Sequence, residues 1–160
     1  MKELVLMRHG EALSALDSGA AGDAGRTLSP RGREQVERSA ERLKSLGFVP
    51  DIIISSPLLR AVETADIAAL LFHGAGRAKE PALASPASMN EVLNAIRSAA
   101  GKASSALVAG HQPTMGELSA LLLGAPHIPL RTGSFVYLRL PSGLKTRKAE
   151  LAEFFEPEPV

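Results

Sequence analysis

The chain has 160 residues, of which 18 are Lys or Arg and 17 are Asp or Glu, and it has no cysteine. This length favours a single domain, residues 1–160, that is large enough to bury a sizeable core. The balanced charge argues against sequence-independent nucleic-acid binding. The lack of cysteine excludes disulfides and suits a reducing compartment. No apolar run is long enough to span a membrane. We therefore expect a soluble cytoplasmic protein with no nucleic-acid or membrane partner.

The first half of the chain alternates predicted strands with predicted helices. Residues 4–7 form an uninterrupted apolar run, typical of a buried strand in a parallel sheet, and residues 51–54 predict a second one. Residues 13–25 (LSALDSGAAGDAG) are small and glycine-rich without helical periodicity, which indicates a loop. One helix is predicted from a cap at Ser29 and Pro30 to Gly47, and another from a cap at Ser56 and Pro57 to residues 72–76.

The second half continues the alternation after residues 78–87, which show no clear pattern. Helices are predicted from Met89 to Gly101 and from Met115 to Gly124, with a strand at residues 106–109 between them. Residues 134–140 predict a last strand in an edge or half-exposed position, and the tail from about residue 154 to residue 160 is predicted to be disordered. The pattern predicts an α/β fold in three layers, with a mostly parallel central sheet covered on both faces.

Basic side chains and glycines follow three of the predicted strands, at the point where each strand ends. They are Arg8, His9 and Gly10 after the first strand, Arg60 shortly after the second, and Gly110 and His111 after the third. The carboxyl ends of parallel strands meet at one edge of a sheet, where the N-termini of the following helices favour an anion. The sequence therefore predicts a phosphate site at this edge.

Such a group of side chains suits phosphoryl transfer. A neutral imidazole can attack phosphorus in line, while guanidinium groups hold the equatorial oxygens, a task for which Arg8 and Arg60 are suited. Gly10 would let the backbone approach the anion closely, and His111 could donate a hydrogen bond to a phosphoryl oxygen. A carboxylic acid would still be needed to protonate the leaving group.

Each residue also has a structural interpretation. A lone histidine at a strand end is more often a hydrogen-bonded structural residue, Arg60 and Glu63 could form only a surface ion pair, and Arg26 could be a solvated loop charge. Two histidines could also bind a metal, but no His-x-x-x-His helix or dense carboxylate cluster accompanies them, so we expect no metal. The joint pattern after three separate strands favours the catalytic interpretation.

Three motifs together resemble the histidine phosphatase superfamily, the phosphoglycerate mutase-like enzymes. LVLMRHGEA resembles its RHG signature, SSPLLRAVETA its second arginine motif, and VAGHQPTMGELSALLLG its second histidine motif, in the same order along essentially the whole chain. The resemblance implies a phosphoglycerate mutase-like fold without metal or cofactor. It also implies that His9 is the nucleophile that becomes phosphorylated and that Arg8, Arg60 and His111 form the phosphate pocket.

Larger members of the superfamily carry an inserted cap, often with a glutamate proton donor in a motif like LxExxxGxxEG. Nothing of that kind follows Glu80, and the compact size, the DAGRTLSPRGREQ stretch and the pattern near Leu83 and Pro86 are similar to SixA-like phosphohistidine phosphatases. A missing cap implies an open site that suits a phosphate carried on a protein surface better than a small sugar phosphate.

The resemblance leaves the proton donor to be chosen among several acidic residues. It places Asp23 and Arg26 beside the pocket, which makes Asp23 the first candidate and Glu80 the second. We expect Glu11 and Glu63 to orient arginines rather than to move protons. The residues expected to contact phosphate or substrate, besides the four already named, are Gly10, Glu11, Arg26 and Gly110.

The resulting hypothesis is a metal-independent phosphatase that hydrolyses phosphohistidine on a signalling or phosphocarrier protein through a phosphohistidine intermediate on His9. The first alternative is a small-molecule phosphomonoesterase or, against the missing cap, a mutase. The second is a phosphoprotein-binding module without turnover, which would not need a nucleophile. Low aromatic content and the lack of a long exposed apolar stretch predict a monomer whose partners are the phosphorylated protein and phosphate.

Overall fold

A computed structural model describes residues 1–86 and 88–158, which form a central sheet with helices on both faces. The strands are β1 (Glu3–Arg8), β2 (Ile52–Ser55), β3 (Gly76–Lys79), β4 (Ser105–Gly110), β5 (Phe135–Arg139) and β6 (Glu150–Phe155). The α-helices are α1 (Pro30–Ser45), α2 (Leu59–Leu71), α3 (Met89–Ala100) and α4 (Thr114–Leu123), and Asp23–Gly25 and Pro81–Leu83 form short 3-10 helices.

The sheet has the strand order β3-β2-β4-β1-β5-β6. β3, β2, β4 and β1 are parallel, whereas β5 is antiparallel to β1 and β6 is antiparallel to β5. The prediction of a mostly parallel α/β sheet is therefore confirmed. In the ladder Arg8 is level with Gly110 and Ser55 with Ala109, so β1, β2 and β4 end side by side.

The two faces of the sheet are covered by different helix pairs, as the uninterrupted apolar run of β1 predicts. Successive side chains of a strand point to opposite faces. Val5 and Met7 pack with residues of α1 and α2, and Leu4 and Leu6 pack with residues of α3 and α4. This arrangement makes the three layers, with β1 buried at the centre.

The helix caps at Ser29 and Ser88 fix the starts of α1 and α3, because each hydroxyl accepts a backbone N–H three residues later. The predicted cap at Ser56 and Pro57 is wrong. α2 begins at Leu59 without a side-chain cap, and the Ser56 hydroxyl instead contacts a residue that follows β4.

Both edges of the sheet differ from the prediction. β3 (GRAK) and β6 (ELAEFF) lack an apolar run, and charged, exposed edge strands of this kind limit unwanted pairing with other chains. β5 is not an edge strand, because β6 covers it and its residues 135–138 are buried.

The C-terminal segment also differs from the predicted disorder. Residues 154 and 155 belong to β6, and Glu158 pairs with Arg31, while the last two positions of the predicted tail, 159 and 160, lie outside the described residues. Within the described ranges, no helix combines the length and apolar character that crossing a membrane would need.

Candidate active site

Four residues from three motifs meet at the carboxyl edge of the sheet, where β1, β2 and β4 end. The rings of His9 and His111 lie edge to face with their centroids 5.2 Å apart, and the Arg60 Nε lies 3.3 Å from the Nε2 of His9. Arg8 ends β1 beside them and is close enough for its charge to act on both imidazoles. The structure thus brings together Arg8, His9, Arg60 and His111.

The hydrogen bonds of His9 determine which ring nitrogen is unprotonated. The Nδ1 lies 2.7 Å from the carbonyl oxygen of Gly10, which can only accept, so the proton is on Nδ1. The Nε2 then carries a lone pair, consistent with its position as acceptor from the Arg60 Nε. His9 is only 7% exposed, so this lone pair lies at the base of the site, where it can act as a nucleophile.

Both imidazoles are held in the neutral form. Burial lowers the pKa of His9 to about 3, and the charges of Arg60 and Arg8, with that of His111 when it is protonated, act in the same direction. The hydrogen bond to the Gly10 carbonyl opposes this shift. Burial and the charge of Arg60 lower the pKa of His111 to about 4. At neutral pH neither ring is protonated, so the nucleophilic lone pair of His9 is available.

The lowered pKa of His9 predicts a pH-dependent stability. The unfolded chain binds a proton at this histidine near pH 6.5, whereas the folded protein binds it only near pH 3, so the free energy of unfolding falls as the pH falls below about 6.5. Between about pH 7 and about pH 5 we expect His9 to contribute a loss of about 2 kcal/mol. Urea denaturation at both pH values, with His9→Asn beside the wild type, measures this contribution.

Replacement of the exposed His127 with asparagine is the matched control for the loss of an imidazole outside the site. Equal pH dependence in the wild type and in His9→Asn would contradict a neutral, buried His9.

His111 is fixed by a residue that the sequence analysis interpreted as a helix cap. The Ser56 hydroxyl is fully buried, lies 2.7 Å from the His111 Nε2 and accepts the N–H of Leu58. The other ring nitrogen of His111, Nδ1, is buried and has no partner. Ser56 therefore orients His111 and leaves Nδ1 available to a ligand.

Arg60 is buried in the first turn of α2, with its guanidinium directed toward the loop of residues 13–25. Its NH1 donates to the backbone carbonyl of Asp23 and its NH2 lies 3.1 Å from the Asp23 carboxylate. Hydrogen bonds from Arg26 and from Arg60 hold the pKa of the Asp23 carboxyl below its usual range. A carboxylate thus lies on the guanidinium where an anionic ligand would bind.

Arg26 supports this loop from the other side. Its Nε donates to the carbonyl of Leu13 and its NH1 lies 3.3 Å from the Asp23 carboxylate. Arg26 therefore lies beside the site through Asp23 and is more than a solvated loop charge.

Buried polar atoms without a hydrogen-bond partner cluster at the same edge of the sheet. Such atoms are rare in folded proteins and indicate a ligand or a water when they occur together. In the described part of the chain they are Arg8 Nε, Glu11 Oε2, Ser55 Oγ, His111 Nδ1 and Ser134 Oγ. All five belong to residues at the ends of β1, β2 and β4 or at the start of the antiparallel β5, which begins at that edge.

The two predicted glycines, Gly10 and Gly110, pack closely against other parts of the fold. A Cβ on Gly10 would lie 2.5 Å from the carbonyl oxygen of Gly32 in α1, and the Gly10 N–H donates to the Thr64 hydroxyl. A Cβ on Gly110 would crowd Met115, and the Gly110 carbonyl accepts the N–H of His9. Helix packing and the sheet ladder therefore account for both glycines.

The remaining acidic candidates lie around the site without joining its centre. Glu11 borders a cavity next to Arg8 and lies 3.7 Å from Arg31. Glu80 follows β3 beside Ser55, and its side chain caps the short helix Pro81–Leu83. Glu63 does not orient Arg60: it accepts from the Thr27 hydroxyl and the Leu28 N–H and pairs with Arg33. Glu63 therefore anchors the segment between the loop and α1.

Sequence reasoning missed Ser56 and Thr64 as site residues. Both hydroxyls are fully buried, and Thr64 connects the Gly10 N–H to the Arg60 carbonyl, which ties the turn after β1 to α2. Both residues lie within the motif SSPLLRAVETA. No sequence pattern, however, distinguishes a hydroxyl that orients a histidine from one that caps a helix. Over the described ranges, no three His, Asp or Glu side chains are grouped so that they could hold a metal ion.

Comparisons with known proteins agree with this arrangement. Residues 4–84 match the family model described as histidine phosphatase superfamily (branch 1). An uncharacterized protein of Picosynechococcus sp. is 33% identical over 141 residues, which cover 86% of this chain and 84% of that protein.

Two solved structures show the same fold. The protein histidine phosphatase SixA in complex with tungstate superposes with a TM-score of 0.82 at 24% identity, over 97% of both chains. The α-ribazole phosphatase of Shigella flexneri superposes with a TM-score of 0.74 at 20% identity, over 97% of this chain and 96% of that one. At these identities the likeness establishes the architecture around the site.

Proposed function

The chain belongs to the histidine phosphatase superfamily, and we propose that it hydrolyses phosphohistidine on a protein through a covalent phosphohistidine intermediate on His9. The observation that carries the proposal is the unprotonated, buried Nε2 of His9, which accepts a hydrogen bond from the Arg60 guanidinium 3.3 Å away. A neutral nucleophile and a cation for the phosphoryl oxygens are the two groups that such a transfer requires.

In the proposed complex, phosphate satisfies the groups that lack partners at the edge of the sheet. The Arg8 Nε and the His111 Nδ1 are both buried and unpartnered and can donate to phosphoryl oxygens. Arg60 presents its guanidinium to the same space, where the Asp23 carboxylate now lies. Three donors from three strand ends would then surround the charge that develops during transfer.

The reaction proceeds in two balanced steps. In the first, the Nε2 of His9 attacks phosphorus, the bond between phosphorus and the substrate imidazole breaks, and the leaving imidazole nitrogen takes a proton from an acid. In the second, water attacks the phosphoryl group on His9, the conjugate base of that acid takes the proton of the water, and inorganic phosphate leaves. His9 is thereby returned with its lone pair free.

Asp23 is our candidate for that acid. Its carboxylate is ionised beside Arg26 and Arg60, but a phosphoryl group bound to Arg60 brings a second negative charge next to it and raises its proton affinity. Glu80 is the second candidate because it follows the neighbouring strand end. In this scheme Arg26 holds Asp23, and Glu11 borders the binding surface.

Replacement of Asp23 with asparagine separates two roles of this carboxylate, its contact with the Arg60 guanidinium and its proposed proton donation to the leaving group. It removes the carboxylate charge from the Arg60 guanidinium while the backbone contact at position 23 remains, so we expect KM for p-nitrophenyl phosphate to fall. We expect kcat for this ester to change little because its leaving group departs without a proton. For phosphohistidine and phenyl phosphate, kcat should fall at least about tenfold. Steady-state kinetics on the three substrates measures the split, with Glu80→Gln compared on the same substrates. A uniform change of kcat on all of them would contradict proton donation by Asp23.

The openness of the site supports a phosphoprotein substrate. Residues 80–88 connect β3 to α3, and their described part forms only the 3-10 helix Pro81–Leu83, which is too small to enclose a sugar phosphate. The SixA likeness is consistent with this substrate class, and the α-ribazole phosphatase likeness is the reason to test a small ester beside it. We place the activity in the cytoplasm, which suits a chain without cysteine.

The test is a comparison of kcat/KM for a phosphohistidine-bearing protein and for p-nitrophenyl phosphate, with His9→Ala as control. A preference for the phosphohistidine protein by orders of magnitude supports the proposal. Turnover of the small ester alone would favour a metabolite phosphatase, and tungstate binding without any turnover would favour a phosphoprotein-binding module.

A further inference from the structure

The cavity that Glu11 borders next to Arg8 adjoins the proposed phosphate site on the side of β5. Its volume is about 340 Å³, and it shares Arg8 with that site while extending toward the start of α1. The charged side chains of its lining are Arg8, Arg31, Arg131, Glu11, Glu156 and Glu158.

The floor of this cavity carries two buried donors, from Arg8 and Ser134, beside the buried Glu11 Oε2, an acceptor that also lacks a hydrogen-bond partner. Ser134 is fully buried and its hydroxyl has no partner, and the Arg8 Nε beside it is buried and unpartnered as well. Arg8 is held in place because its NH1 donates to the carbonyl of Leu130. Unpartnered buried donors at the base of a cavity indicate a ligand that accepts hydrogen bonds.

The rim of the cavity carries two exposed arginines, each facing a carboxylate of the C-terminal segment. The Arg31 Nε lies 2.8 Å from the Glu158 carboxylate, and the Arg131 Nε lies 3.9 Å from the Glu156 carboxylate. The side chains of Arg31 and Arg131 are 65% and 64% exposed, so water and salt screen both ion pairs, although Arg31 contacts both carboxylate oxygens of Glu158. Glu156 and Glu158 can therefore be displaced by other carboxylates without disturbing the core.

The spacing of these two glutamates indicates which kind of ligand the cavity binds. They are two residues apart, separated by Pro157, and each contacts its own arginine. A peptide with two acidic residues separated by one position would present the same pair of carboxylates. The arrangement thus favours an acidic segment of a protein.

We propose that this cavity docks an acidic segment of the phosphorylated substrate protein, whose carboxylates replace Glu156 and Glu158 on Arg131 and Arg31 while the phosphoryl group reaches His9. The inference rests on the proposed function, because the shared Arg8 places the docked segment beside the phosphohistidine. It assigns to Arg31 and Arg131 the recognition of the partner, separate from the chemistry.

Peptide binding tests the docking surface without any turnover. The probes are two fluorescent, unphosphorylated peptides of equal length, one containing Glu-Pro-Glu and the other Gln-Pro-Gln, and anisotropy at low salt gives their affinities. We expect the wild type to prefer the glutamate peptide, Arg31→Gln/Arg131→Gln to weaken its binding about threefold to tenfold, and Glu156→Gln/Glu158→Gln to strengthen it. Arg77→Gln, which removes an exposed arginine paired with Asp66 at the far edge of the sheet, should leave it unchanged.

A second assay uses the same two sequences carrying a phosphohistidine, together with p-nitrophenyl phosphate. Arg31→Gln/Arg131→Gln should lower kcat/KM for the acidic phosphopeptide and leave the small ester unaffected. Equal binding of both peptides by Glu156→Gln/Glu158→Gln, or a glutamate preference that survives loss of both arginines, would overturn the docking proposal. Docking as expected without phosphohistidine hydrolysis would overturn the proposed function instead, and hydrolysis at equal kcat/KM for both phosphopeptides would overturn docking alone.

Discussion

Replacement of His9 with alanine is expected to lower turnover at least about a thousandfold on every substrate, because the nucleophile is lost and water must attack phosphorus directly. The fold should persist, because His9 follows β1 at the carboxyl edge of the sheet and is not part of the hydrophobic core. Its side chain bonds to the neighbouring Gly10 carbonyl and to Arg60 of the same site. Steady-state kinetics measures the loss, and circular dichroism with a thermal melt checks the fold.

The matched control is His127→Ala, an exposed histidine outside the site, which should retain wild-type turnover. Brief incubation with labelled substrate adds a direct measurement: the wild type should carry an acid-labile phosphoryl group, as expected for a bond between phosphorus and nitrogen, and His9→Ala should carry none. Near-normal turnover by His9→Ala, or labelling that persists in it, would show that another residue is the nucleophile.

The central features of the fold follow from strong local signals. β1 is an apolar run buried on both faces, and Ser29 with Pro30 marks the start of α1 by satisfying a free N–H and presetting the backbone. The rule that parallel strands present their carboxyl ends at one edge then brings Arg8, His9 and His111 together, as the structure shows. These inferences need only short stretches of sequence and one rule of topology.

The features that sequence reasoning missed depend on contacts between distant segments. β3 and β6 are edge strands whose pairing, not their composition, makes them strands. The Ser56 contact with His111 spans 55 positions and the Glu63 contact with Thr27 spans 36, so neither leaves a local pattern. Gly10 is predicted to allow a close backbone approach, and the approach that the structure shows is to Gly32 of α1.

Replacement of Arg60 with alanine is the second large effect that we expect. Its buried guanidinium contacts the Nε2 of His9 and the carboxylate of Asp23, so its loss removes the cation that would hold the phosphoryl oxygens and releases the loop that carries Asp23. Removing one such preorganised donor typically lowers kcat about a hundredfold to a thousandfold, and we expect a loss of that size in kcat/KM.

Arg60→Lys distinguishes shape from charge. The planar guanidinium can donate to His9, to the Asp23 backbone and to an anion at the same time, whereas a lysine ammonium cannot. We therefore expect lysine to restore less than about a tenth of the lost activity. The control is Arg77→Ala, which should behave as the wild type. Arg77 is an exposed arginine of β3 that pairs with Asp66 of α2, the helix that carries Arg60. If Arg60→Lys were as active as the wild type, a positive charge alone would suffice at this position, and the assignment of Arg60 as a multidentate phosphate clamp would be wrong.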